Sequence, residues 1–439
     1  MDLTQGFTDC FGCSPVLFAL ACRQWDIASI LLENGGSAGG KSCESLSNPG
    51  WSALHYCVCH GKLELFNQII RQEPTALDYG HPIPLLHVTA LHSQFEILNV
   101  LLTGSIAMVE PYPVDIRTER GLFRSHSVPS RGAGRGATAL HLVSHAGNAR
   151  AAIILLEHGA RVNNTDYEGS TPLHSAVRGG KLAATTQLVS RGAFINAQDH
   201  WMWTSVMVAA SLGYYDHVEL LANCGANLRL YDTYGQQASH IAATGGHAQV
   251  AAYLWWCGLA LDTVDSKGND VCLLGFASRE PAIRTFLLNC GTDISCCSPI
   301  HGNVLHEFLR GPELCLPLLK AVLRKLKACG ALQIINHKPT YDVSLLYLAT
   351  ARNQISVLQA LLDAGANVDA EGGPEGTALM CAAGAGRLEA VRLLVNAGAD
   401  VAYQKKSRIL SAVAVARDHP KVLQWLLIDR FEERRLTSI

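Results

Sequence analysis

Six histidines stand at the same position of a four-residue motif that recurs along the sequence. They are His55, His87, His141, His174, His240 and His306. Imidazole nitrogens bind metals and exchange protons near neutral pH, so a row of histidines could hold a metal ion or shuttle protons. Each histidine lies in a separate copy of the motif, which is too far for a shared metal site. We therefore expect these side chains to satisfy hydrogen bonds within and between structural units.

Cysteine spacing suggests a second kind of metal chemistry. Cys10 and Cys13 form a C-x-x-C pair, and the run Cys57-Val58-Cys59-His60 could complete a set of four zinc ligands. The context is unfavourable, because Cys57 falls at an inward position of a predicted helix and the C-x-x-C pair precedes the first motif. The sequence lacks a phosphate-binding loop, a G-x-S-x-G elbow and an H-E-x-x-H zinc motif. We predict no metal site, no cofactor and no catalytic residue.

The composition excludes several classes of protein. Of the 439 residues, 49% are hydrophobic and 16% are charged, which excludes a largely disordered chain. The 35 lysines and arginines against 37 aspartates and glutamates form no dense basic block, so nucleic acid is not an expected partner. The longest apolar run ends at Asp262, well short of the ~20 residues that cross a bilayer. With no visible targeting segment, we expect an intracellular protein, cytoplasmic or nuclear, with free thiols.

The elements that must position these residues repeat along the chain. Thr138–His141 and Thr171–His174 read Thr-Ala-Leu-His and Thr-Pro-Leu-His, and they lie 33 residues apart. The same period divides almost the whole chain into twelve units. The first three match the motif more loosely, and at three places the distance from one unit to the next is longer than 33 residues. The units begin at Ser14, Ser52, Pro84, Thr138, Thr171, Thr204, Gln237, Asp270, Asn303, Ser344, Thr377 and Leu410.

Each unit has the pattern of a helix, a tight turn, a second helix and a loop. In one unit, Thr171 suits the N-cap and Pro172 suits the first helical position. Leu173 faces inward at helical spacing, and Leu188 anchors the second helix. Gly192 follows where a left-handed residue is the least strained exit. Because one helix pair cannot bury its apolar face alone, neighbouring units must stack into a continuous core.

The period, the Thr-Pro-Leu-His motif and the apolar pair before Gly-Ala together resemble the ankyrin-repeat family, over roughly nine tenths of the chain. The resemblance implies an all-α, helix-turn-helix solenoid with short β-hairpin-like fingers. It also implies a concave face made by the fingers and the first helices. The implied function is that of a non-catalytic interaction scaffold or adaptor that binds a protein partner on this concave face.

The repeat steps predict five segments. Looser repeats occupy residues 1–104, a Pro/Gly/Arg-rich loop insertion or linker occupies 105–137, and six regular repeats occupy 138–335. Three further repeats occupy residues 336–427, and a charged cap or tail occupies 428–439.

The insertion contains a possible regulatory site. Arg124 to Pro129 looks like the phosphoserine motif read by 14-3-3 proteins, with Arg124 three residues before Ser127. Phosphate at Ser127 would add about two negative charges for an arginine cluster to bind. Ser127 is therefore a candidate phosphorylation site, and a 14-3-3-type reader is a candidate partner.

A scaffold binds through positions that stacking does not dictate, and here these are the fingers before each motif. An aspartate recurs in register and is expected to be a structural turn residue, at Asp166, Asp199, Asp232 and Asp265. The residues around it are unusually aromatic, which is typical of binding hot spots. The candidate partner-binding residues are Tyr167, His200, Trp201, Met202, Trp203, Tyr231 and Tyr234. The alternative is that the three residues 201–203 fold back and pack between fingers.

Two other readings of the aromatic and polar residues stay open. The groove could be a small-molecule enzyme with cyclase- or isomerase-like chemistry, in which Asp199, His200 and Asp232 supply acid or base groups. The recurrence of the aspartates argues against it.

Outside the fingers, Trp255 aligns with core leucines of other units, so we expect it to pack inside and Trp256 to cover the outer side. We expect a monomer.

Overall fold

The computed structural model describes most of the chain. The described residues are 13–39, 51–77, 84–104, 111–119, 135–278, 280–298, 302–311, 315–339, 343–373, 376–403 and 411–429. Ser127, Cys10 and the end of the charged tail lie outside them. The chain divides into two compact units. The first comprises residues up to Ala209 with Asp216–Asn227, and the second comprises Ala210–Tyr215 with residues from Leu228 onward.

Within the described residues, consecutive α-helices form pairs, so that odd-numbered helices are the first and even-numbered helices the second of each pair. The earlier helices are α1 (Pro15–Ala21), α2 (Trp25–Glu33), α3 (Ala53–Cys59), α4 (Leu63–Gln72), α5 (Leu85–Leu91), α6 (Phe95–Thr103), α7 (Ala139–Ala146), α8 (Ala149–Glu157), α9 (Pro172–Arg178), α10 (Leu182–Ser190), α11 (Ser205–Leu212) and α12 (Tyr215–Asn223). The later helices are α13 (Ala238–Thr244), α14 (Ala248–Trp256), α15 (Val271–Ala277), α16 (Pro281–Asn289), α17 (Val304–Arg310), α18 (Leu316–Ala328), α19 (Leu345–Ala351), α20 (Ile355–Asp363), α21 (Ala378–Gly384), α22 (Leu388–Asn396), α23 (Ala412–Val415) and α24 (Pro420–Gln424).

Short elements complete the described structure. Single 3-10 turns lie at Pro74–Ala76, Leu332–Asn336 and Ala416–Asp418, and a π-helical turn lies at Trp425–Asp429. Two strands, β1 (Cys297–Ser298) and β2 (Gly302–Asn303), form an antiparallel ribbon in which Cys297 lies opposite Asn303.

Helices stack in register within each unit. In the first unit α1, α3, α5, α7 and α9 pack one on the next, and in the second unit α13, α15, α17, α19 and α21 do the same. The second helices form a parallel row beside them, as α14, α16, α18, α20 and α22 show. Each unit is therefore a helical-repeat solenoid, which confirms the predicted fold class.

The inward positions of each helix pair form the core. In the pair α9–α10, Leu173 and Leu188 are fully buried, as their spacing predicts. Gly192 follows with φ of +83°, the left-handed conformation that ends the second helix at little cost for glycine. Helix periodicity and the helix exit were both read correctly from local sequence.

The motif histidines act as structural caps. In α7, the backbone N–H of Thr138 donates to His141 Nδ1 over 3.2 Å, and His141 Nε2 donates to the Ser170 carbonyl over 2.9 Å. His174 makes the same pair of bonds to Thr171 and to the Trp203 carbonyl. The backbone N–H of the cap residue is likewise bonded to Nδ1 at His55, His240 and His306. His87 differs, because its cap residue Pro84 has no N–H to donate, and only its Nε2 bond to the Ala137 carbonyl is made, over 2.8 Å. The histidines thus satisfy hydrogen bonds within and between repeats, as expected.

Burial keeps these imidazoles neutral. Loss of solvent lowers the pKa of His87, His141, His174 and His306 to about 4, and the hydrogen bond that each Nε2 makes to a carbonyl opposes this only in part. In His141, His174 and His306, a charged imidazole would lose its acceptor nitrogen and with it the bond from the cap residue. Among the described residues, no group of three metal-binding side chains is placed to hold an ion.

Part of the predicted insertion is held against the first unit. Tyr112 is buried, and its N–H donates to the Leu101 carbonyl over 2.8 Å. The Thr118 N–H donates to the Ala137 carbonyl, and the Gly136 N–H donates back to Thr118 over 2.7 Å. Both ends of the segment 119–135 are therefore tied to the repeat, although the sequence predicts a loop or linker throughout. No helix in the described part of the chain has the length and apolarity to cross a membrane.

Candidate binding surface

The fingers are built on the recurrent aspartates. Asp166 Oδ1 accepts hydrogen bonds from the N–H groups of Glu168 and Ser170, both at 2.9 Å. Asp199 makes the same two bonds to Trp201 and Trp203. The carboxylate thus replaces backbone partners inside a tight turn. This geometry repeats at Asp232 and Asp265 and confirms that these residues are structural.

The turn carboxyl groups lie largely out of solvent. Burial raises the pKa of Asp166 and of Asp199, and the two N–H donors at each carboxylate oppose that shift without cancelling it. Their Oδ1 atoms are occupied by backbone bonds. These carboxyl groups are therefore committed to holding the fingers rather than displayed for a substrate.

Backbone hydrogen bonds also tie neighbouring fingers together. In the first unit, the Tyr167 N–H donates to the Arg135 carbonyl over 3.0 Å, and the His200 N–H donates to the Glu168 carbonyl over 2.9 Å. In the second unit, the Ser266 N–H donates to the Tyr234 carbonyl over 2.9 Å. The side chains on these fingers consequently project from a fixed backbone.

Tyr167 is the most exposed aromatic candidate of the first unit, at 52%. Its ring lies over Gly136, where a β-carbon would stand 2.5 Å from the ring. The Arg117 guanidinium lies 5.9 Å from the ring centroid, and Arg117 also donates to Asn164 over 3.1 Å. One face of the ring is thus supported by protein, and the rest is available to a partner.

In the finger after Asp199, Met202 stands at the position that is glycine in the neighbouring fingers. Met202 has φ of +63°, close to the +77° of Gly169, so a side chain occupies a left-handed position that costs most residues about 1 kcal/mol or more. Met202 is 45% exposed. Trp201 and Trp203 are half-buried, and His200 is exposed with its ring over Gly169.

The seven predicted binding residues are divided between the two units. Tyr167 and the run 200–203 belong to the first, and Tyr231 and Tyr234 belong to the second, where they are 48% and 50% exposed. The Tyr234 N–H donates to Asp232 Oδ1 over 2.8 Å, so this finger has the same frame as those of the first unit. Both units therefore present large side chains on fingers of one design.

Sequence reasoning missed one residue of this surface and misjudged the exposure of another. Arg117 lies beside the Tyr167 ring, but it belongs to the insertion, where no repeat pattern points to it. Trp255 contacts Phe286 but stays 42% exposed, so the expectation of a core residue is wrong. Alignment places a residue on a helix but does not show how much of a large ring its neighbours cover.

Repeated helix pairs, capped by histidine and joined by aspartate-built fingers, define a helical-repeat protein of the ankyrin class. A family model described as ankyrin repeats matches residues 86–199 and 345–434, in three copies. The chain is an ankyrin-repeat protein. The total of twelve repeats stays a prediction beyond the matched copies. A search of curated proteins found no match to the sequence. Ankyrin repeats generally mediate protein–protein interaction, and such domains are typically non-catalytic.

Proposed function

We propose that the chain is a non-catalytic scaffold or adaptor that binds a protein partner through its fingers. In the first unit the binding residues would be Tyr167, His200, Trp201, Met202 and Trp203, here called the first-unit finger patch. The observation that supports this is the exposure of Tyr167 and Met202 on a backbone that hydrogen bonds hold in place. Tyr231 and Tyr234 are proposed as binding residues of the second unit and are to be tested separately.

Rigid presentation favours affinity. A partner that covers the exposed half of Tyr167 removes apolar area from water, while little chain entropy is lost because the finger is already ordered. Aromatic side chains with few torsions are among the commonest hot-spot residues. Arg117 beside Tyr167 adds a cation and hydrogen-bond donors at the rim of the patch.

The small-molecule enzyme remains a competing proposal that no contact favours. Its acid or base groups would have to include Asp199, whose Oδ1 atom accepts two backbone bonds and whose side chain is buried. A site built for proton transfer presents its carboxyl group to a substrate. The turn role of Asp199 therefore supports the scaffold.

The finger patch can be tested by a double substitution. We expect Tyr167→Ala with Trp201→Ala to weaken partner binding by about 2 kcal/mol or more, roughly 30-fold in Kd, because two aromatic anchors are removed. Partners captured from a cell extract by the wild type and the variant would be compared by quantitative mass spectrometry. The Kd of the protein lost with the variant would then be measured with purified components.

Phe194→Ala is the matched control, since Phe194 is an exposed aromatic residue of the same unit outside the patch. It should leave the capture unchanged. Equal capture by wild type and double variant, with both folded, would exclude the first-unit patch as the binding site. Tyr231→Ala with Tyr234→Ala applies the same test to the second unit.

Phosphorylation at Ser127 is a separate proposal, which concerns residues outside the described part of the chain. Ser127 lies in the sequence between Thr118 and Gly136, which are hydrogen-bonded to each other beside the finger of Tyr167. We expect a basophilic kinase to create a 14-3-3 binding site that Ser127→Ala abolishes and Ser125→Ala retains. Fluorescence titration with a purified 14-3-3 protein measures it. Binding that survives Ser127→Ala would rule out this site.

A further inference from the structure

An aromatic cluster lies on the second helices of the second unit, outside the finger residues. Tyr253 of α14 packs edge-to-face on Tyr215 at 5.4 Å between centroids, and its ring lies 5.9 Å from Trp256. Trp255 packs edge-to-face on Phe286 of α16 at 6.1 Å. Trp256 is nevertheless 77% exposed and Trp255 42% exposed. We call these five residues the α14–α16 face.

Helices α14 and α16 expose no charged side chain on this face. Charges lie only at its edges, where exposed Asp216 follows Tyr215 and Lys325 Nζ donates to the Leu288 carbonyl over 2.9 Å. The outward stripe of α14 is Gln249, Ala252, Tyr253 and Trp256, at the i, i+3, i+4 and i+7 positions of one helical side. Helix α16 has one charged residue, Arg284, which is buried and donates to the Ser278 carbonyl. Later second helices of the same unit differ, because they expose charged residues. These are Lys320, Arg324 and Lys327 on α18, and Glu389 and Arg392 on α22.

We propose, in place of the monomer that the sequence analysis predicts, that the α14–α16 face binds the same face of a second copy of this chain in a symmetric dimer. In a two-fold contact, residues near the axis meet their own counterparts, so any charge there would face an identical charge. An uncharged aromatic face meets that condition without a complementary partner. The α14–α16 face thus accepts a second copy, whereas the basic side chains of α18 would repel their own counterparts.

The exposed area fits a dimer core. With about 250 Å² for a whole tryptophan side chain, the two tryptophans expose roughly 300 Å² in each copy. Two copies would contribute about 600 Å², and a stable interface buries about 1,600 Å² with an apolar core and a polar rim. Gln249, Thr285 and Asn289 are exposed around the rings and supply such a rim. The rings already pack on one another, so little side-chain freedom is lost on association.

Sedimentation velocity on the full chain across the micromolar range tests the proposal. We expect a monomer–dimer equilibrium in the wild type, and Trp256→Ala should raise the dimer Kd about tenfold or more. The Kd should change little with salt, because α14 and α16 expose no charge at the centre of the contact. Phe194→Ala is the control, because Phe194 of the other unit is also a largely exposed aromatic residue, and it should leave the Kd unchanged.

A charge exchange distinguishes this face from others. Ala252→Glu and Ala252→Lys should each abolish the dimer, since like charges would meet near the axis, and mixing the two variants should restore it. Circular dichroism would establish that each variant is folded. A wild type that stays monomeric throughout the range, or a dimer that survives Trp256→Ala with unchanged Kd, would overturn the proposal. A dimer that survives Trp256→Ala would mean that the copies meet through another apolar surface, such as that of Phe18, Ile27 and Ile30.

Discussion

Leu188→Asp should lower the free energy of unfolding by several kcal/mol. Leu188 lies in the second half of α10 with 1% of its surface exposed, in the seam between helix pairs of the first unit. Aspartate at this point would be buried without a partner, and the volume of the leucine would be lost as well. Urea unfolding followed by circular dichroism measures the change as a fall in the transition midpoint.

Leu182→Asp on the same helix is the control. Leu182 is 39% exposed and stands at the start of α10, where a negative charge is favourable to the helix dipole. This variant should unfold within about 0.5 kcal/mol of the wild type. Equal midpoints for Leu188→Asp and the wild type would mean that α10 does not pack in the register described.

The second large effect is acid destabilisation by the buried histidines. Their folded pKa is about 4, below the ordinary 6.5, so the unfolded chain binds more protons between these values. Stability is then complete above about pH 6.5 and falls as the pH drops towards 4. Each such histidine contributes a slope of up to about 1.4 kcal/mol per pH unit. With His87, His141 and His174 in the first unit alone, the loss should reach several kcal/mol.

The measurement is a series of urea unfolding curves between pH 7.5 and 5.5. Asp166 and Asp199 act in the opposite sense, because a raised folded pKa gives stability that is present below the ordinary 3.8 and lost as the pH rises through the folded value. Because the aspartate contribution grows as the pH falls, a net loss of stability from pH 7.5 to 5.5 reports the histidines.

His141→Gln removes one titrating group. It should therefore reduce the number of protons taken up on unfolding, and with it the slope of the free energy of unfolding against pH, by up to one proton. Glutamine cannot become charged, so only its constant cost to stability remains. His200→Gln serves as the control, because His200 is exposed and caps no helix. Equal stability at pH 5.5 and 7.5 in the wild type would show that the motif imidazoles are not held neutral.

Local sequence was sufficient to place the helices and their caps. Thr171 and Pro172 begin α9, and Gly192 ends the pair with φ of +83°, because caps and left-handed exits depend on a few adjacent residues. The period of 33 then placed the other pairs, since each unit repeats the same local solution. The role of His141 also followed, because its partners recur with the motif.

Exposure, by contrast, was decided only by the tertiary structure. Trp203 and Trp255 both occupy positions that the repeat pattern describes, yet the first is half-buried and the second is 42% exposed, against expectation for Trp255. How much of a ring meets water depends on side chains from neighbouring helices and fingers, which come from distant parts of the sequence. Likewise, only folding brings Arg117 to the ring of Tyr167 and joins Thr118 to Gly136 and Ala137 across the segment 119–135. Sequence by itself determined the repeated helix pair, because that pair is held by local bonds. The candidate surface was decided by contacts between repeats.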